Sequence, residues 1–169
     1  MKKQLIFLFT SLLLTSVAFS QSPTIVEKQK LYDPSEDATV EIATAVKKAA
    51  NEGKHVLLQF GGNWCKWCIA LDSKMQSNDT LRTALEKNYV LYHVNYSREN
   101  MNEAALSAYG YPHRFGFPVL VVLDGKGNRL HTQNSAYLEE GNGHSTKKVL
   151  EFLQQWSPTA LDPKQYKSK

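Results

Sequence analysis

The chain has 169 residues, with 20 Lys and Arg against 16 Asp and Glu and a net charge of +4. That excess is too small to argue for a nucleic-acid or membrane-surface binder. Its two cysteines are too few for a disulfide-stapled scaffold, and a full zinc site would need more ligands close by.

Met1-Lys2-Lys3 is a short basic start, followed by an apolar run from Leu5 to Phe19 broken only by small hydroxyl residues. Ala18-Phe19-Ser20 then puts small residues where a signal peptidase reads. The layout predicts a secretory signal peptide over residues 1–20, cut before Gln21. The alternative is an uncleaved anchor, but the run is short for a span of about 20 apolar residues. No cysteine sits at the cut, which argues against a lipid anchor there. Loss of Lys2 and Lys3 lowers the positive charge further, and the remainder is long enough for one domain with a real core. Export would place the two cysteines where disulfides form and persist.

Residues 21–36 are polar, with Pro23 and Pro34, and read as a leader with scope to order partly against the body. Asp37 can cap a helix to about Asn51, with Val40, Ala43, Val46 and Ala50 as its apolar stripe and Gly53 as its stop. His55 to Phe60 reads as a short buried strand backed by Gly61-Gly62. Trp64-Cys65-Lys66-Trp67-Cys68 follows, and Ile69, Leu71, Asp72 and Met75 continue without Gly or Pro, so the cysteines open a helix. Asn78 or Asp79 can cap the next helix, which carries Leu81, Ala84 and Leu85 on one side. Tyr89 to Asn95 is β-branched and aromatic, a second strand. Asn100 with Glu103 resembles a capping pair for a helix to about Tyr109, stopped by Gly110 and Pro112. Val119 to Leu123 is the most apolar strand. The turn cluster Asp124 to Asn128 returns it into Arg129 to Thr132 as a hairpin. Gly141 and Gly143 mark a loop. Ser145 can cap a last helix with Val149, Leu150, Leu153 and Trp156 on one face. The domain is expected over residues 37–157, with a polar, fraying tail over 158–169. Helices alternating with strands, then a hairpin, predict an α/β fold with a central mixed sheet covered on both faces.

Two cysteines separated by two residues at a helix start can exchange with a partner's disulfide. Cys65, at the helix N-terminus, is expected to face solvent as a thiolate held by unpaired N–H groups and the helix dipole. It would be the nucleophile, and Cys68, one turn in and shielded, the resolving thiol. Lys66 either adds positive charge beside Cys65 or points into water. Three other readings of the pair stand beside this one. Half a zinc site is disfavoured because His55, His93, His113, His131 and His144 are scattered. A purely structural disulfide would close a tiny loop, which stabilises least. The third is a redox fold retained only for binding.

The segment Gln59-Phe60-Gly61-Gly62-Asn63-Trp64-Cys65-Lys66-Trp67-Cys68 resembles the active-site segment of thioredoxin-like proteins. Phe117-Pro118-Val119-Leu120-Val121-Val122-Leu123-Asp124 resembles their second signature. The match runs from about Asp37 to Trp156, and is similar in particular to secreted bacterial thioredoxin-fold proteins related to the C-terminal domain of membrane thiol–disulfide interchange reductases. The resemblance implies the thioredoxin fold, with a C-terminal β-hairpin plus helix. It implies a cis Pro118 facing the cysteine pair, Phe117 pairing its backbone with substrate, and Trp64 as an apolar wall beside Cys65. Trp67, unusual inside the dipeptide, is expected to be partly exposed and to contact substrate. The chain departs from the pattern at Gln59, where thioredoxin carries a buried acid and this side chain cannot ionise. It departs also in the Lys66-Trp67 dipeptide and in Ser73, near the place of a helix-kinking proline.

The expected function is a thiol–disulfide oxidoreductase that reduces disulfides of exported proteins. Its partners would be disulfide-bearing or thiol-bearing exported proteins and a membrane thiol–disulfide electron carrier, in the periplasm or, as an alternative, outside the cell. The expected protein is a monomer with no metal and no organic cofactor beyond the redox-active Cys65–Cys68 disulfide, and it has no nucleic-acid partner. Two alternatives are open. One is a dithiol oxidase or disulfide isomerase. The other is a non-catalytic binding or chaperone module using Lys66, His113 and Arg114 with Trp64, Trp67, Phe115 and Phe117 as a basic aromatic patch.

Overall fold

The computed structural model describes residues 30–167. The expected signal peptide (1–20), residues 21–29 of the leader and residues 168–169 of the tail lie outside the described residues. The first helix, α1, spans Ala38–Glu52. The Asp37 carboxylate accepts the Thr39 N–H at 2.8 Å to start it, and Gly53, at φ 65°, turns the chain out of it. Strand β1 follows (His55–Gly61), then α2 (Lys66–Ser77) and α3 (Asp79–Asn88). Strand β2 (Tyr89–Asn95) and helix α4 (Glu103–Ala108) come next. After a 3-10 turn at Pro112–Phe115 run β3 (Val119–Leu123) and β4 (Arg129–Asn134). A two-residue hairpin, β5 (Glu139–Glu140) with β6 (Gly143–His144), precedes α5 (Thr146–Gln155).

The four main strands form one mixed sheet in the order β2-β1-β3-β4. Strand β1 pairs parallel with β2 and antiparallel with β3, and β3 antiparallel with β4. The central strands β1 and β3 are buried along their whole length. That is why their sequences run apolar on both faces instead of alternating. One face packs Val56, Leu58, Phe60, Val119 and Val121 against α1 and α4. The other packs Leu57, Leu120 and Val122 against α2, α3 and α5. This is the thioredoxin fold expected from the sequence.

Two details differ from expectation, and a third, the ordering of the leader's end against the body, falls within it. The buried stripe of α1 is Ala38, Ile42, Ala45 and Ala49, with Val46 at its rim, while Val40 is 57% exposed. Three alanines let the helix lie close to the sheet, and only one face can do so. The loop at Gly141 and Gly143 is a small hairpin. The described end of the leader joins the body: Tyr32 is fully buried, and Asn63 receives its N–H at 3.1 Å and donates to its carbonyl at 2.7 Å. Asn100 donates to the carbonyls of Pro34 and Glu36 at 3.1 and 3.0 Å. Past Pro158 the tail holds a short 3-10 turn at Pro163–Tyr166, capped by the Asp162 carboxylate on the Lys164 N–H.

Candidate functional site

The C-terminal ends of β1 and β2 and the start of β3 lie at one edge of the sheet, since Phe60 pairs with both Val94 and Val119. The crevice outside the carboxyl ends of parallel strands is where α/β sheets place their sites. The chain leaves β1 at Gly61-Gly62, and the Cys65 N–H bonds back to the Gly62 carbonyl at 2.9 Å. Helix α2 starts one residue later, with Cys65 as its N-cap.

Cys65 and Cys68 form a disulfide, with Cα atoms 5.3 Å apart. The Cys65 sulfur also accepts the Cys68 backbone N–H at 3.1 Å, so the first-turn donors of α2 already point at it. Cys68 is fully buried and Cys65 is 6% exposed. The asymmetry has the expected sense, but Cys65 shows less surface than expected of a cysteine facing solvent. The pair forms a small apolar cluster with Tyr32, against which Leu31 and Phe117 pack.

The other sequence-derived residues divide in two. Trp64 is 56% exposed, fixed by its Nε1–H donating to the Tyr96 carbonyl at 2.8 Å and set edge-on to Phe117 at 5.4 Å. Phe117 stacks on Tyr96 at 4.9 Å, and Tyr96 on His113 at 5.8 Å. The Phe117–Pro118 peptide bond is cis, and Pro118 itself is buried. Of these, Phe117 packs against the cysteine pair, and Trp64 adjoins Cys65 in the chain. Lys66 is exposed on the outer side of α2. Trp67 is 37% exposed and lies edge-on to His144 at 5.2 Å. Arg114 lies over the Phe115 ring at 4.3 Å, so of the basic aromatic patch only His113 joins the Trp64–Phe117 stack.

Sequence reasoning missed the polar layer beneath the sulfurs. Gln59 is fully buried, and its amide nitrogen donates to the Tyr32 hydroxyl at 2.7 Å and the Cys68 carbonyl at 3.1 Å. Its carbonyl oxygen is buried with no partner. Burial pushes the Tyr32 phenol well above its ordinary range; the Gln59 hydrogen bond opposes this and the Asp72 charge adds to it. Asp72, one turn after Cys68, meets His93 of β2 at 3.1 Å, and the His93 ring lies edge-on to Tyr32 at 5.4 Å. His144 was also missed. Both its ring nitrogens are buried without a partner, and burial holds its pKa below the usual range, with Glu139 opposing and Lys74 adding. The one local signal for Tyr32 was an apolar Leu31-Tyr32 pair inside a polar stretch. Among the described residues no three His, Cys, Asp or Glu side chains gather where they could hold a metal ion.

The family profile described as Thioredoxin-like matches residues 37–125. Among solved structures, a disulphide isomerase from Xylella fastidiosa Temecula1 is similar at 27% identity and a TM-score of 0.65, the match covering 73% of this chain and 94% of that one. The oxidised C-terminal domain of DsbD from Neisseria meningitidis is 21% identical with a TM-score of 0.49, covering 70% of this chain and 95% of that one. A DsbH oxidoreductase is 20% identical with a TM-score of 0.48, covering 83% and 95%. No curated protein matches the chain.

Proposed function

The chain belongs to the thioredoxin-like family and is a thiol–disulfide oxidoreductase; on that premise we propose that it reduces disulfides of exported proteins through Cys65 and Cys68. The observation that carries the reading is a closed Cys65–Cys68 pair at the start of α2, with Cys65 slightly exposed and Cys68 fully buried. In the reduced protein the Cys65 thiolate attacks a substrate disulfide. A Cys65–substrate bond forms and one substrate thiolate leaves. Cys68 then attacks the Cys65 sulfur, closing the ring and expelling the second substrate thiolate. Two electrons pass to the substrate, and its two sulfurs take up protons. Trp64 and Phe117 form the surface that meets the substrate chain, backed by the buried Pro118, with Lys66 and Trp67 at its margin. A membrane thiol–disulfide carrier would return the electrons.

The reductive direction is supported by the setting of Cys65. A dithiol becomes an oxidant when its thiolate form is strongly stabilised. Here the sulfur is nearly covered by apolar neighbours, and the adjacent Lys66 is exposed. Only the helix start is left to favour the thiolate. Export is supported by the pattern of residues 1–20. The mature protein is expected to reduce insulin disulfides in dithiothreitol, with activity abolished in Cys65→Ser and an equilibrium potential near that of thioredoxin, about −270 mV. Absence of insulin reduction would refute the reading. The similarity to a disulphide isomerase favours a second reading, isomerisation, which a much higher potential and refolding of scrambled disulfides would support.

A further inference from the structure

The proposed reaction needs Cys68 to lose its proton in a place that disfavours charge. The sulfur is fully buried, and the neighbouring side chain of β1, Gln59, cannot ionise. The orientation of Gln59 is fixed by chemistry. The Cys68 carbonyl can only accept, so the Gln59 atom facing it is the amide nitrogen. The same nitrogen faces the Tyr32 oxygen, so that oxygen is an acceptor in the contact. The phenol proton is therefore free to point elsewhere. A Cβ on Gly61 would stand 2.5 Å from Cys68 Sγ and 2.7 Å from the Tyr32 hydroxyl. The sulfur and the phenol thus border the same small gap, which stays open because residue 61 is glycine. Both are fully buried and belong to one cluster.

We propose that Tyr32 donates a hydrogen bond to the Cys68 thiolate in the step that releases substrate, with Gln59 as the positioning residue that holds the phenol. The inference rests on the oxidoreductase reading and adds to it how the resolving thiol becomes reactive. The Cys68 S–H loses its proton to water. Its electron pair forms the bond to Cys65 Sγ, and the bond between Cys65 and substrate breaks. The leaving substrate sulfur carries that pair away and takes a proton from solvent. Tyr32 keeps its own proton throughout, consistent with a phenol that burial and the Asp72 charge hold in the neutral form. The other titratable groups against it are Asp72 of α2 and His93 of β2. In the disulfide form the sulfur carries no charge to attract the phenol, whereas opening the ring gives it both charge and rotational freedom.

Removing a donor from a thiolate raises the thiol pKa. Cys65→Ser leaves Cys68 as the sole cysteine, whose 13Cβ chemical shift can be followed against pH. Adding Tyr32→Phe is expected to raise the Cys68 pKa by about one unit, about 1.4 kcal/mol. In the Cys65-containing enzyme the same change slows release from the mixed disulfide about threefold at neutral pH, the roughly tenfold loss of thiolate being partly offset by its greater nucleophilicity, and the deficit disappears as pH rises through the Cys68 pKa. Gln59→Leu keeps the phenol but removes its anchor, and is expected to give a smaller rise. A rise in Tyr32→Phe supports the assignment, and an unchanged titration in folded Tyr32→Phe overturns it whatever Gln59→Leu does. Should Tyr32→Phe fail to fold, the Gln59→Leu rise is compared with and without Tyr32→His, and a rise that needs no phenol overturns the assignment. Titrations that superpose on the parent in every folded variant overturn it. Failure of the oxidoreductase reading shows separately, as absent insulin reduction by the parent protein, because the Cys68 titration requires no turnover.

Discussion

Gly61 shows how tightly the residues around the sulfurs are fitted. A methyl group there would meet a short, buried sulfur and a buried phenol, neither of which is the loose end of a flexible chain. Overpacking of this kind costs typically 1–3 kcal/mol. Gly61→Ala is therefore expected to lower the stability of the oxidised protein by about 2 kcal/mol, read as a lower urea midpoint with an unchanged slope. An unmoved midpoint would mean that the gap is roomier than the structure has it. The residues that could be read from sequence are those whose chemistry is local. Cys65 and Cys68 are three apart, Trp64 adjoins them, and Phe117-Pro118 announces itself before an apolar strand. The missed residues act across the chain. Tyr32 reaches Gln59 over a separation of 27 residues and Asp72 reaches His93 over 21. No periodicity in a single sequence carries such pairings. Gln59 itself was legible only as a side chain that cannot ionise, because its function lies in what it holds.

At the scale of elements, strands were easier to place than the faces of helices. Strands β1, β2 and β3 are short apolar runs whose composition leaves little choice. In α1 two stripes offset by one residue along most of their length both satisfy helical spacing, and the choice between them depends on how closely the helix approaches the sheet. The start of α4 shows a second kind of difference. The sequence suggested capping by Asn100 with Glu103, but the helix starts at Glu103, preceded by Asn102 at φ 50° without a capping side-chain bond. The Asn102 side chain is used elsewhere. It donates to the Asn95 carbonyl at the end of β2 at 2.9 Å and accepts the Ala38 N–H at the start of α1 at 3.1 Å. It joins three elements while occupying a backbone region that costs most other residues roughly 1–2 kcal/mol. Asn102→Ala is expected to lose both bonds and add that strain, a fall of about 3 kcal/mol. Asn102→Gly relieves the strain and should lose less. Urea unfolding of the two variants ranks them, and equal losses would show that the left-handed conformation contributes nothing.

For the whole molecule, the main question is where the folded unit begins. The family profile begins at residue 37, where α1 is capped, yet the chain before it closes over the redox end of the sheet. Residues 30–36 contribute a fully buried aromatic ring, exchange two hydrogen bonds with Asn63 and accept two from Asn100. Those two asparagines lie in the segments that leave the parallel strands, Asn63 between β1 and α2 and Asn100 after β2. The strap therefore fastens the ends of the two parallel strands together as well as covering Cys68. Truncating a buried aromatic side chain costs about 3–5 kcal/mol, and the asparagine bonds go with it. A chain starting at Asp37 is expected to be less stable than one starting at Lys30 by at least about 3 kcal/mol. In the reduced form its Cys68 should also react faster with a small alkylating reagent, because the ring packed against it has gone. A lower midpoint without faster alkylation would make the strap a brace with no part in shielding the thiol. Equal midpoints would return residues 30–36 to the status of a leader and leave the redox end to be stabilised by the sheet and α2 alone.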